Sequence, residues 1–433
     1  MTPTRAAAVA GVLPGLFWVV YSLFNVVLPA PPSIGPVSAV NVIYVAMLPA
    51  VVVVLGSRPL PAWPAAGLYL MFMAWVCLSL VWYDPSRDAQ LAKELLVYGL
   101  FALVGAQMIV GAPVARRMFA AALAVVSVGL AVWTVWYALR TGFAYRAGVP
   151  VNPNLPATLV GPGLLMAAAL YASDGGGRHR PWLLAGILAA LYASLLLASR
   201  GVFLALVAGG AVVWWRMRPP FGRMRALIAG CGVVVLLAQV PSVPHAAWTG
   251  GLGLARRLAE SSGRERDTGA AAQGPASSGD VALNPLAAES TALGRFGEEG
   301  VGSFNLRRDL WVRGLAYVTS GAGPFLLGGG VATSRMLAHE ANPVFANMHN
   351  AYLQMWTDFG LIGLVLVGWL HARIARQLAG TSGWFAAGTL GMLLFWVVLG
   401  ATVTVTDLHV YWVTLGMAST ASMVPVGLAA RRA

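Results

Sequence analysis

Apolar windows of about 20 residues, the length that spans the hydrocarbon core of a bilayer, recur from one end of this chain to the other. They fall at roughly 7 to 28, 37 to 56, 64 to 83, 91 to 111, 117 to 139, 157 to 173, 182 to 198, 201 to 215, 226 to 241, 351 to 370, 384 to 405 and 409 to 428. A chain built this way cannot fold as a water-soluble globule, and its balance of 58% hydrophobic to 10% charged residues agrees. The pattern predicts an all-α polytopic integral membrane protein of about twelve transmembrane helices, with both termini on one side. The first run, Ala7 to Leu28, follows Arg5 as a signal sequence would. Its length and the runs behind it predict a retained helix instead.

The net charge of +13 would point to nucleic acid in a soluble protein. Here the arginines cluster in short loops between apolar runs, which is the positive-inside pattern and argues against nucleic acid. Arg5, Arg58, Arg116, Arg117, Arg178, Arg180, Arg216, Arg218, Arg223, Arg225, Arg373, Arg376, Arg431 and Arg432 all fall on one side of a twelve-helix count, predicted to be cytoplasmic. Cys77 and Cys231 both lie in apolar runs, so there is no disulfide framework and no zinc-ligand spacing. The expected organisation is transmembrane helices one to nine over 1–240, one large outer insert over 241–348, and three more helices over 349–433.

The insert reads as two halves. The first, with Gly274-Pro275-Ala276-Ser277-Ser278-Gly279 and similar stretches, is rich in small and turn-forming residues and is expected to be loosely ordered. The second carries helical spacing from Ser303 to Leu315, with Arg307, Trp311 and Gly314 on one face and Asp309 four residues before Arg313. Pro324 to Gly330 then predicts a sharp turn.

Three positions carry chemistry. Ser199-Arg200-Gly201 is a tight break between two apolar runs, and it puts Arg200 at the outer boundary; such an arginine is otherwise a snorkelling anchor. Arg307, with Arg308 as its rival, offers a permanently charged fork that matches phosphate oxygens, whereas a solvated helix face is the plainer reading. His349 opens a span within Asn347-Met348-His349-Asn350-Ala351-Tyr352. Its imidazole is suited to take a proton from a hydroxyl, and the plainer reading of its neighbours is a helix cap beside an interfacial tyrosine. No nucleotide-type glycine loop, His-Glu-x-x-His or closely spaced outer acidic pair resembling a metal-dependent glycosyltransferase site accompanies them. A nucleotide-sugar donor, a metal and a cofactor are therefore not expected.

These motifs in this order resemble the O-antigen ligase and polymerase family: Ser199-Arg200-Gly201, then Arg307 four residues before Trp311, the Pro324 turn, His349-Asn350-x-Tyr352-Leu353, and Gly360-Leu361-Ile362-Gly363-Leu364. Ser79-Leu80-Val81-Trp82, Asp84-Pro85-Ser86 before Lys93, and Asn152-Pro153-Asn154 agree with it. The resemblance implies metal-independent inverting transfer of a glycan from undecaprenyl pyrophosphate to a sugar hydroxyl of lipid A-core, at the periplasmic face of the bacterial inner membrane. It also implies that Arg200 and Arg307 or Arg308 hold the pyrophosphate and that His349 activates the acceptor, with Asn350 and Tyr352 in support. Asp358 departs from the family's usual glutamate. A polymerase joining repeat units, a protein O-oligosaccharyltransferase and a lipid-linked glycan transporter are the competing readings; a transporter would gather its charges near the midplane rather than at one face.

Overall fold

The computed structural model describes residues 33–34, 37–38, 66–82, 113–141, 154–197, 199–239, 300–341, 347–405 and 409–421. The expected helices at 7 to 28 and 91 to 111, and the first half of the insert, lie outside them. Of the run expected at 37 to 56, only Val37 and Ser38 are described. They form a two-residue strand (β2) paired antiparallel with Ser33–Ile34 (β1), Ile34 opposite Val37.

The rest of the described chain is helical. The helices are α1 (Ala66–Ser79), α2 (Pro113–Thr141), α3 (Asn154–Ala172), α4 (Arg180–Leu196), α5 (Arg200–Met217), α6 (Phe221–Gln239), α7 (Gly300–Val318), α8 (Ala322–Leu327), α9 (Thr333–Ala341), α10 (Ala351–Ala379), α11 (Trp384–Gly400) and α12 (His409–Ala421). Among the described residues four segments are long and apolar enough to cross a membrane: Phe119–Tyr137, Gly177–Leu196, Arg200–Met217 and Ala351–Ala379. The apolar stretches Gly67–Trp82, Pro156–Ala172 and Trp384–Gly400 are shorter. The chain is a helical, multi-pass membrane protein.

Helix α11 is the hub, lying against α3, α5, α10 and α12. Lipid is as apolar as leucine, so membrane helices associate through close packing rather than by expelling water. Here α5 approaches α11 closely: a Cβ added at Gly209 would stand 2.6 Å from the Gly391 carbonyl oxygen, and one at Gly391 would stand 2.9 Å from that of Gly209. A second seam is aromatic. Phe72 of α1 stacks on Trp412 of α12 and meets Phe359 of α10 edge-on at 5.9 Å, while Trp396 of α11 meets Tyr411 of α12 at 6.1 Å. This seam seats α10 in the bundle.

The two ends of the bundle differ in chemistry. At one end, arginines hold helix C-termini: Arg216 donates to the carbonyls of Leu378 and Ala379 at the end of α10 and of Thr381 just beyond it, and Arg223 donates to Ala172 at the end of α3 over 2.6 Å. Arg180 reaches the Ser173 carbonyl, and Arg116 lies over the Phe385 ring. Cationic side chains on orphan carbonyls also complement the negative end of the helix dipole. The other end carries His349.

Candidate functional site at the mouth of helix α10

The chain enters α10 through a bend that the sequence sets up locally. The His349 N–H donates to the Asn347 side-chain oxygen at 3.1 Å, and His349 takes a left-handed conformation, φ 50°. Asn350 is then extended and caps the helix, its side-chain oxygen accepting from the N–H groups of Tyr352 and Leu353, both at 3.0 Å. Capping satisfies two of the four orphan donors at a helix start. Asn350 is therefore a structural cap, and Tyr352 is a strut, its hydroxyl donating to the Val397 carbonyl of α11.

Helix α7 runs down beside this mouth. Trp311 donates its indole N–H to the Met348 carbonyl at 3.1 Å, one residue before His349. Leu310 and Met348 bury together with Ala338 of α9, and Gly314 sits against Leu353. Arg307 lies one turn before Trp311, close enough to act on the imidazole: burial first, and the Arg307 charge second, push the His349 pKa down from its ordinary 6.5 to about 4. His349 is thus neutral at physiological pH and presents an imidazole able to accept a proton. Arg308 turns outward. Its guanidinium lies 3.6 Å from the Asp309 carboxylate, with both side chains mostly exposed. Asp309 thus pairs with its neighbour Arg308 rather than with Arg313, the partner suggested by helical spacing.

Arg200 begins α5, exposed, after Ser199 in extended conformation. The C-terminal turn of α11 ties it to the same end of the bundle as His349. A Cβ at Gly201 would strike the Thr402 hydroxyl, and one at Gly400 would stand 3.5 Å from Ala351 and Tyr352. Arg200 and Arg216 lie at opposite ends of α5, about 24 Å apart at 1.5 Å per residue.

The sequence reading expected an unbroken helix from 351 to 370; instead α10 breaks at Gly360, φ 68° and ψ −175°, a region that only glycine visits readily. The turn after α8 docks on that break. Gly329 N–H donates to Thr357 O at 2.9 Å, Gly330 N–H to Asp358 O at 3.0 Å, and the Trp75 indole to Phe359 O at 2.8 Å. Asp358, fully buried, accepts from the N–H and the hydroxyl of Ser334 on α9 at 2.7 and 2.9 Å. Asp358 and Ser334 latch α9 to α10, and through Leu310, Ala338 and Met348 that latch supports the His349 loop. Ser334 carries no sequence signal. Asp358 does, as the one acid in an apolar run.

No curated protein matches the chain. The family model described as O-antigen ligase matches residues 185–368, from α4 into α10, and so takes in Arg200, Arg307, His349 and Asp358. Over that segment, less than half of the chain, the sequence is similar to this family, which covers ligases and related polymerases.

Proposed function

We propose that this protein is an O-antigen ligase, transferring a glycan from undecaprenyl pyrophosphate to a sugar hydroxyl of lipid A-core. The observation that carries the reading is a neutral, half-buried imidazole beside an arginine at the mouth of a membrane helix, inside the family-matched segment. The acceptor oxygen attacks the anomeric carbon and gives its proton to His349. The bond from that carbon to the diphosphate oxygen breaks with inversion, and undecaprenyl pyrophosphate leaves with the electron pair. Arg307 and Arg200 hold and neutralise the diphosphate; Arg308, engaged with Asp309, is left out of that role. A good leaving group already drives the reaction, so positioning and fixed charge supply most of the catalysis.

This assignment sets the His349 end in the periplasm, with the arginine end and both termini in the cytoplasm, in the inner membrane of a bacterium. It counts about twelve spans with a periplasmic insert over 241–348. The test is deletion of the gene in its host, complemented with the wild type or with His349→Ala, reading both the lipopolysaccharide and the lipid-linked glycan. Polymerised glycan stranded on its carrier beside bare core is expected. Core capped with a single repeat would assign the protein as a polymerase, and two unchanged pools would overturn the reading.

A further inference from the structure

The segment between α7 and α9 sits deeper than a surface loop. Arg373 is the first arginine after the apolar part of α10, at the basic end. Counting back about 20 residues, at most about 30 Å because α10 breaks at Gly360, puts the other hydrocarbon edge at or before Leu353. Helix α7 passes that level: Trp311 meets Met348, Gly314 meets Leu353, and the Tyr317 hydroxyl lies beside Gly329, which is itself bonded to Thr357. Helix α8 lies still deeper. Its Phe325 carbonyl accepts from the Trp356 indole at 3.0 Å, and Leu326 O abuts Gly360. The tip of the excursion is thus about 10 Å inside the edge set by Leu353.

Backbone that leaves a helix at this depth survives only if its polar groups are satisfied within the protein. Several of those of the excursion are. Thr319 N–H donates to Leu315 O, Ser320 N–H to Tyr317 O, and Gly328 N–H to Pro324 O, while Gly329 and Gly330 donate to α10. Both tip hydroxyls turn back onto helix carbonyls, Thr319 to Leu315 at 2.8 Å and Ser320 to Tyr317 at 2.7 Å.

The outward face fits the same setting. Phe325 turns in to meet Trp356 edge-on, while Leu326 and Leu327 remain 45% and 38% exposed. Val312 and Leu315 of α7 are exposed as well, as are Ile362, Val365 and Trp369 on the membrane-crossing part of α10. Exposed apolar side chains thus lie on both the spanning helix and the insert. We propose that the α7–α8 hairpin, from Gly314 to Gly330, is a re-entrant element whose Leu326–Leu327 edge lies in the acyl chains of the leaflet on the His349 side. This rests on α10 crossing the membrane and not on the transferase reading.

The test uses the full chain in liposomes with Cys77 and Cys231 replaced by alanine. Single cysteines at Leu326→Cys and Leu327→Cys carry an environment-sensitive fluorophore, with Val365→Cys as the lipid reference and Arg308→Cys as the water reference. Quenching by nitroxide-labelled acyl chains, with little loss to iodide, is expected at both leucines, as at Val365. Quenching by iodide to the extent seen at Arg308, or by neither agent, would overturn the proposal; the latter outcome would mean a protein surface covers the edge.

Discussion

Removing the Asp358 carboxyl leaves two buried donors of Ser334, the N–H and the hydroxyl, without the acceptors they use. Each buried donor left unsatisfied costs about 1–3 kcal/mol, so Asp358→Ala loses about 3 kcal/mol of local stability. That corresponds to about a 100-fold larger opening constant for α9 and the turn before it. Asp358→Asn keeps an oxygen for the N–H and offers an amide to the hydroxyl, for a loss of about 1 kcal/mol. Ser334→Ala removes one bond and keeps the other, again about 1 kcal/mol. Hydrogen exchange of peptides covering 322–341 reads this directly in the purified protein, because local opening governs amide exchange. The expected order is a large acceleration for Asp358→Ala and small ones for the other two. Unchanged exchange in Asp358→Ala would refute the latch, and equal effects of Asp358→Ala and Asp358→Asn would show that charge rather than hydrogen bonding holds it.

The remaining predictions concern the mouth of α10. With its pKa lowered to about 4, His349 stays neutral well below pH 6.5, so the acid limb of kcat/KM lies below 6.5 and activity is lost as pH falls through it; a limb at or above 6.5 contradicts the burial argument. Arg307→Ala removes the smaller of the two causes, so the limb moves up only part of the way towards 6.5. The loss of a charge-assisted contact lowers transfer about 30-fold in that variant, whereas Arg308→Ala, at an exposed pair worth at most about 1 kcal/mol, keeps near-normal activity in the same assay. Gly360→Ala drives a methyl group into the Leu326 carbonyl at a positive φ, so α8 detaches; faster exchange over 322–330 is the readout.

How far the sequence foretold this structure depends on the kind of signal. Repeated apolar runs predict α1 to α6 and α11 within about five residues and the starts of α10 and α12, while α10 runs nine residues past the expected 370. The Ser199 break, the cap at Asn350 and the Arg307 face were legible too, since each is a local signal. The helix break at Gly360 was not. A glycine in an apolar run is common in membrane helices, and only the arrival of Gly328 to Gly330, thirty residues earlier in the chain, makes a non-helical φ favourable there. The depth of α8 was hidden for the same reason: Pro324 to Gly330 reads as a turn, and its partners Trp356, Thr357 and Asp358 are set by tertiary contact. The outward pairing of Arg308 with Asp309 was not legible either, since helical spacing pointed Asp309 to Arg313.

The account stands on His349 as the group that takes the acceptor's proton. The most direct measurement is transfer by purified protein in liposomes, from a glycan on undecaprenyl pyrophosphate to lipid A-core, with wild type, His349→Ala and His349→Asn compared at matched folding. Loss of an acid–base group lowers turnover about 10²–10⁴-fold, and asparagine, which keeps a hydrogen bond but cannot hold the proton, should not restore it. Transfer by His349→Asn at the wild-type rate would contradict the account and leave the imidazole as a positioning group.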